Sequence, residues 1–176
     1  MVLDLSVNPQ LDQLADNPFS KLRELFDGVQ PRSNEPIIPM AVGEPQHEPP
    51  SMLARILAEK ASLWNRYPPP SGTPECRASC ASWLNRRYRL PDGMLTGERN
   101  VLVVNGTKEA LFLVAQLAVP AEKAGRTPTV LMPNPYYNVY NGGAILAGAE
   151  PVYLDCTKET GFLPDLDAIP EPLLAR

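Results

Sequence analysis

"VLVVNGTKEALFLVAQL", residues 101–117, changes character at a single dipeptide. Four apolar residues, three of them valines, precede Asn105 and Gly106, and a run of helix-forming residues follows. The pattern predicts a strand, a tight turn and a helix that Asn105 and Gly106 cap. The amide groups of residues 106–108 would then face outward at the positive end of the helix dipole, an arrangement that binds phosphate. An ordinary turn between a strand and a helix explains this stretch equally well, so both interpretations stay open here.

Strands and helices are predicted to alternate beyond this stretch, in the order 100–104, 107–118, 129–133, 136–148 and 151–155. Such alternation is typical of parallel strands joined by helical crossovers, and it predicts an α/β layered fold. Apolar residues of the first helix point in several directions, and we therefore expect it to be largely buried on the sheet. These residues are Leu111, Leu113, Val114 and Leu117.

Twenty-one prolines divide the first hundred residues and the later loops into short segments. The segment 9–28 predicts an N-terminal arm with one amphipathic helix, on which Leu22, Leu25 and Phe26 share helical spacing. Residues Ile38–Val42 predict a short strand that ends at a turn. Helices are predicted over 51–64 and 74–89, separated by a proline-rich loop that cannot be helical.

Composition excludes several classes of protein. The net charge of −4 carries no long basic run, which argues against a nucleic-acid partner. Three cysteines and one histidine are too few for a disulfide framework or a convincing metal site. No apolar run approaches the ~20 residues that span a bilayer, and the first residues lack the order of a signal peptide, so we expect a cytoplasmic protein without membrane contact.

Four stretches, taken together, resemble one known family. They are "AVGEP" at 41–45, "YPPPSGTPECR" at 67–77, "VNGTKEAL" at 104–111 and "PNPYYNVY" at 133–140. In this order and spacing they are similar to the N-terminal half of the class I/II, fold type I aminotransferases, which use pyridoxal 5'-phosphate. The resemblance implies a three-layer α/β/α fold, the aspartate aminotransferase-like large domain, truncated here and preceded by an N-terminal arm. It assigns residues 1–50 to the arm and a small-domain segment, and 51–176 to an incomplete cofactor-binding domain.

The resemblance also implies roles for individual residues. Gly106, Thr107 and Lys108 match the turn that binds the cofactor phosphate through backbone amides, in agreement with the helix terminus predicted above. Tyr137 matches an aromatic residue that stacks on the pyridine ring of the cofactor. Packing of "PYYNVY" inside a core is the competing explanation for that tyrosine.

Two further positions carry implications for assembly and substrate. Tyr67 matches a tyrosine that reaches the cofactor phosphate of the neighbouring subunit, so the resemblance implies a homodimer. Gly43 matches a backbone position beside the substrate carboxylate, where a side chain would block approach. Without the resemblance, Tyr67 would be interpreted as surface packing and Gly43 as a plain turn glycine. The implied substrates are small amino acids and 2-oxo acids.

Within the family, "WNRYPPPSGTPECRASCASWLNRRYRLP" at 64–91 is similar to the succinyldiaminopimelate aminotransferases of bacterial lysine biosynthesis, for which glutamate is the amino donor. The sequence stops at "PEPLLAR", before the part that carries the family's catalytic lysine. None of the lysines lies in a motif similar to it, so these 176 residues alone are expected to be inactive. Two hypotheses follow: the chain is a piece of a complete aminotransferase, or it is a truncated product that acts at most as a binding module.

Overall fold

The computed structural model describes residues 7–14, 18–33, 35–38 and 40–176. The chain forms two compact units. One comprises Met1–Asp27 and Val104–Arg176, and the other comprises Gly28–Val103. Within the described ranges, no helix combines the length and the apolar character that crossing a membrane would require.

Seven α-helices and two strands are formed by the described residues, with 3₁₀ turns at Pro9–Gln13 and Ala61–Asn65. The helices are α1 Pro18–Phe26, α2 Ser51–Glu59, α3 Pro74–Tyr88, α4 Gly97–Asn100, α5 Thr107–Ala118, α6 Asn138–Leu146 and α7 Glu171–Leu174. The strands are β1 Thr129–Asn134 and β2 Glu150–Asp155.

The first unit is built on a β1–α6–β2 crossover. The strands pair in parallel, with the register running from Thr129 opposite Glu150 to Asn134 opposite Asp155. Parallel neighbours require a crossover, and α6 supplies it, which confirms the predicted alternation over residues 129–155. Met132, Ala144 and Ala149 form the buried centre of this unit.

Helix α5 packs against α6 in the same unit. Gln116 donates a hydrogen bond from Nε2 to the carbonyl oxygen of Gly143 at 3.0 Å. A Cβ atom at Gly143 would lie 3.1 Å from Cβ of Ala115, so the glycine allows the two helices to approach closely.

The predicted burial of α5 is wrong. None of its residues is buried, and Leu113, Val114 and Leu117 are exposed by 42%, 57% and 85%. The apolar residues surround the helix, but the contacts with α6 cover only one side of it. The helix forms in the predicted place because its residues have high helix propensity. Its burial depends on neighbouring elements, which the local sequence pattern does not specify.

The strand predicted over residues 100–104 is also wrong. Asn100 ends α4, and Val101 is extended at φ −124° and ψ 123°, yet residues 101–104 pair with no strand among the described residues. A β-rich run becomes a strand only when another strand supplies its hydrogen bonds. Val101 thus has the backbone conformation of a strand without the hydrogen bonds of one.

In the first 65 residues, two predictions are corrected and one is confirmed. No strand forms at Ile37, Ile38 or 40–42; Pro39 lies outside the described residues, and prolines lack the amide that a ladder needs. The one amphipathic helix predicted within 9–28 is confirmed as α1, which follows the first 3₁₀ turn, with residues 15–17 outside the described ranges. The helix predicted to reach residue 64 ends at Glu59 and continues as the second 3₁₀ turn.

In the second unit, α3 and α4 begin with threonine caps and pack on each other. Oγ1 of Thr73 accepts from the amide of Cys76 at 3.2 Å, and Oγ1 of Thr96 accepts from the amide of Arg99 at 3.3 Å. Gly97 approaches the backbone of α3 so closely that an added Cβ would lie 2.5 Å from the amide nitrogen of Ala78. Ala81 on α3 is the one fully buried apolar residue among those described in this unit.

Candidate functional site

The turn before α5 has the backbone geometry that only glycine adopts without strain. Gly106 has φ +107° and ψ 164°, a region that excludes residues with a Cβ atom. It is the N-cap of α5, and no side chain of the described residues caps this helix. The helices that begin with Thr73 and Thr96 differ, since each uses a hydroxyl to accept from one of its own first amides.

The first amides of α5 are therefore available to an external acceptor. The leading four N–H groups of an α-helix have no partner within the helix, and the dipole of this twelve-residue helix adds partial positive charge there. A Cβ atom built at Gly106 would meet nothing within 4 Å, so the space above the turn is open to a ligand. Thr107 and Lys108 are both exposed beside it, and their hydroxyl and ammonium groups suit an anion. The residues present thus fit a phosphate group.

A carboxylate on the first turn of α5 holds the residue before the glycine. Oε2 of Glu109 accepts from the backbone amide of Asn105 at 2.6 Å, and Oε1 accepts from Nδ2 of Asn105 at 3.3 Å. The sequence interpretation missed Glu109 and was wrong in expecting Asn105 to cap the helix, because its side chain donates to Glu109 instead. The sequence did contain a signal for Glu109, because it is an acidic residue at the third helical position, where a capping box has Glu or Gln.

Tyr137 lies in the same unit as this turn and is the N-cap of α6. The residue is 46% exposed, and its ring meets the ring of Tyr140 edge to face, with centroids 5.9 Å apart and an angle of 87° between the planes. The structure therefore places Gly106 and Tyr137 at the N-termini of two helices that pack on each other. The exposed ring leaves a face that can stack on a flat ligand.

Polar and aromatic residues meet at the carboxyl ends of β1 and β2, which sequence reasoning missed. Nδ2 of Asn134 donates to Oδ1 of Asp155 at 2.8 Å, and the hydroxyl of Tyr153 donates to Oδ1 of Asn141 at 2.7 Å. The rings of Tyr136 and Tyr153 stack at 5.1 Å. Polar residues directly after apolar strands were the available signal, because ligands of α/β folds bind at the carboxyl ends of the strands.

The phenol of Tyr153 has a shifted pKa. Burial raises the pKa of Tyr153 above its ordinary value, and the neighbouring Tyr136 hydroxyl adds to the rise. Tyr153 is therefore a hydrogen-bond donor at neutral pH, consistent with its contact to Asn141.

Tyr67 and Gly43 belong to the second unit. Tyr67 follows the second 3₁₀ turn and its side chain is fully exposed. Gly43 is exposed in irregular backbone, and a Cβ atom there would meet nothing within 4 Å. The structure thus places four of the proposed residues, Gly106, Thr107, Lys108 and Tyr137, in one unit and these two in the other.

Comparison with known proteins adds independent information. A family model described as "Aminotransferase class I and II" matches residues 35–175. LL-diaminopimelate aminotransferase 2 of Trichormus variabilis is 36% identical over 138 residues, which are 77% of this chain and 33% of that protein. LL-diaminopimelate aminotransferase of Moorella thermoacetica is 34% identical over 142 residues, covering 80% of this chain and 34% of the relative.

Solved structures agree with the sequence relatives. An aminotransferase from Neisseria meningitidis superposes with a TM-score of 0.83 and 33% identity, covering 95% of this chain and 41% of that one. Aminotransferase AspB from Helicobacter pylori has a TM-score of 0.78 and 26% identity over 92% of this chain and 40% of its own. The chain spans about a third of the length of the curated relatives it matches.

Proposed function

This chain belongs to the class I and II aminotransferases, a family that depends on pyridoxal 5'-phosphate and has the aspartate aminotransferase-like fold, and we propose that the complete protein is a transaminase. It exchanges an amino group between an amino acid and a 2-oxo acid. The observation that carries the proposal is the turn at Gly106, whose backbone geometry and open amides suit the phosphate of that cofactor.

The residues of this chain would bind and orient the cofactor. Amides at Gly106, Thr107 and Lys108 hold the phosphate, and the exposed face of Tyr137 packs on the pyridine ring. When bound, pyridoxal phosphate supplies an electron-withdrawing ring that lets the α-carbon of an amino acid lose a proton. The tyrosine stack would hold that ring in place and exclude water from one face of it.

Tyr67 and Gly43 extend the proposal to the partner and the substrate. We propose a homodimer in which the fully exposed Tyr67 contacts the cofactor phosphate of the other subunit. Gly43 leaves room for the substrate carboxylate, because no side chain occupies that position. We also propose a cytoplasmic location. We further propose that residues 1–50 form the arm and a small-domain segment, and that residues 51–176 belong to the cofactor-binding domain.

For the substrate, we propose glutamate as amino donor and N-succinyl-2-amino-6-oxopimelate as acceptor, in diaminopimelate and lysine biosynthesis. The support is the likeness of residues 64–91 to succinyldiaminopimelate aminotransferases. The two relatives described above are LL-diaminopimelate aminotransferases, which favours a second candidate, an unsuccinylated diaminopimelate substrate. A panel that compares kcat/KM for the succinylated and free compounds separates the two, and equal or better turnover of the free compounds would overturn the first.

The test of the transaminase itself uses the protein from its complete reading frame. Added pyridoxal phosphate should produce a visible absorption band that shifts on addition of glutamate. Tyr137→Ala should release the cofactor faster, by an amount corresponding to ~1 kcal/mol for a lost aromatic contact, whereas Tyr137→Phe should retain it. Absence of any band in the wild-type protein would contradict the proposal.

A truncated, non-catalytic product that acts at most as a binding module is the competing hypothesis. The nucleotide sequence after the codon of Arg176 discriminates between them, because a complete aminotransferase requires a continuing frame that encodes a lysine motif. A stop codon at that point in the genomic sequence would favour the binding module.

A further inference from the structure

The contacts around Asn105 point to a role for Glu109. This carboxylate accepts two hydrogen bonds from one residue, the backbone amide of Asn105 at 2.6 Å and its Nδ2 atom at 3.3 Å. Glu109 is half-buried on the first turn of α5, and Asn105 is the residue directly before Gly106. We propose that Glu109 is a positioning residue that holds the phosphate turn in its binding conformation through Asn105, an inference that rests on the proposed cofactor site.

The two hydrogen bonds from Asn105 to Glu109, which we call the Glu109 clamp, fix the chain on the N-terminal side of Gly106. On the other side, the carbonyl oxygen of Gly106 accepts from the amide of Ala110 at 3.3 Å, the first hydrogen bond of α5. Gly106 therefore lies between two anchored points. Glycine is the residue with the most backbone freedom to lose, so anchors on both sides are what keeps its φ of +107° populated.

The clamp also spares the amides that would bind the phosphate. A conventional cap such as Thr73 accepts from an amide of its own helix, here that of Cys76, and so removes one donor from any ligand. Glu109 instead accepts from Asn105, which precedes the helix. The turn is stabilised while the amides of residues 106–108 stay available.

The negative charge of Glu109 suits the dipole of any helix but repels a bound phosphate, so the charge alone does not explain a role at this site. What it supplies is two acceptor atoms at the right distance. This distinguishes three substitutions. Glu109→Gln keeps one acceptor for the Asn105 amide without the charge, Glu109→Asp keeps the charge but is one methylene shorter, and Glu109→Ala removes the acceptors. Exposed Glu122→Ala is the matched control for loss of a carboxylate elsewhere in this unit.

The first measurement is amide hydrogen exchange of the complete protein without cofactor, followed in peptides that cover residues 104–110. Exchange should be faster in Glu109→Ala and Glu109→Asp, and close to wild type in Glu109→Gln and Glu122→Ala. Because this readout needs no cofactor, it tests the clamp even if the proposed function fails. Unchanged exchange in Glu109→Ala would overturn the inference.

The second measurement is the dissociation constant for pyridoxal phosphate, from the quenching of protein fluorescence. Glu109→Ala and Glu109→Asp should bind at least about tenfold more weakly, because both hydrogen bonds to Asn105 are lost, and Glu109→Gln, which keeps an acceptor for the Asn105 amide, should stay within about threefold of wild type. Rescue by Gln separates positioning from charge. Wild-type affinity in Glu109→Ala, with a wild-type protein that binds the cofactor, would overturn the inference and leave the proposed function intact. Absence of binding by the wild-type protein would overturn the proposed function instead.

Discussion

Gly106 offers the sharpest test at the scale of single residues. Its φ of +107° belongs to a region that costs other residues ~1–3 kcal/mol, and a side chain there would occupy space beside the turn that is open in the structure. Gly106→Val in the complete protein should lose pyridoxal phosphate while it keeps its circular dichroism spectrum. Gly142→Ala is the matched control, because Gly142 is in α6 with open space around it and no positive φ. Equal cofactor retention in both variants would show that the site is elsewhere.

Tyr153 makes a prediction about pH. Its raised pKa means that the folded state holds the phenol proton more tightly than the unfolded state does. Burial is the main cause of the rise, and the Tyr136 hydroxyl adds to it. The phenol also needs its proton to donate to Asn141, so the stabilisation by Tyr153 is fully present below the ordinary tyrosine pKa of ~10 and is lost as the pH rises through the raised value. Tyr153→Phe should lower the melting temperature of the complete protein at pH 7.5 and have less effect at high alkaline pH.

The control for this pH effect is Tyr88→Phe, which removes a hydroxyl from an exposed tyrosine on α3. Its effect on the melting temperature at pH 7.5 should be small, because this side chain is exposed. A Tyr153→Phe effect that does not diminish in alkali would contradict the assigned hydrogen bond.

The limits of sequence reasoning at this scale are visible in one turn. The conformation of Gly106 was predictable because a glycine between a β-rich run and a helical run has few other uses. The Glu109 clamp was not predictable from pattern alone, since a glutamate in the first helical turn is favourable for the dipole in any helix. Only the structure shows the hydrogen bonds from Asn105 that distinguish this contact from an ordinary interaction of a glutamate with the helix dipole.

Among the elements, the contact between α3 and α4 depends on Gly97. A Cβ atom at this position would lie 2.5–2.8 Å from backbone atoms of Arg77 and Ala78, and backbone cannot rotate away as a side chain can. Gly97→Ala should destabilise the second unit by ~1–3 kcal/mol, the usual cost of overpacking. Urea denaturation of the complete protein measures this loss of stability. The control is Gly142→Ala, which should leave the stability unchanged or slightly higher, because alanine favours a helix more than glycine does. Unchanged stability in Gly97→Ala would mean that the two helices separate easily.

Elements that depend on local signals were predicted well. The bounds of α5 and α3 agree with expectation within a residue, because Gly106 and Thr73 mark their starts. The strands at 129–134 and 150–155 were also found, since the intervening helix brings them together. The strand at 100–104 and the burial of α5 failed because both require partners distant in sequence.

At the scale of the whole molecule, each unit buries little. Six apolar residues are buried among those described, four of them in α6 and beside it, and no large side chain is below 2% exposure. Within the described residues the sheet has only two strands, so both outer edges offer unpaired hydrogen-bonding groups. The 176 residues expressed on their own should therefore aggregate and melt without cooperativity. Size-exclusion chromatography and a thermal melt test this, and a monodisperse, cooperative fragment would contradict it.

The β1–α6–β2 crossover also has a kinetic consequence. Partners Thr129 and Glu150 are close in sequence for a parallel pair, and α6 covers the strands from within the same short segment. Closing a short loop costs little chain entropy, and local contacts form fastest. We expect this crossover to be the folding nucleus of its unit, consolidated before α5 docks on it. Ala144→Gly, in the core of the crossover, should then slow refolding of the complete protein. Gln116→Ala, which removes a contact between α5 and α6, should mainly speed unfolding.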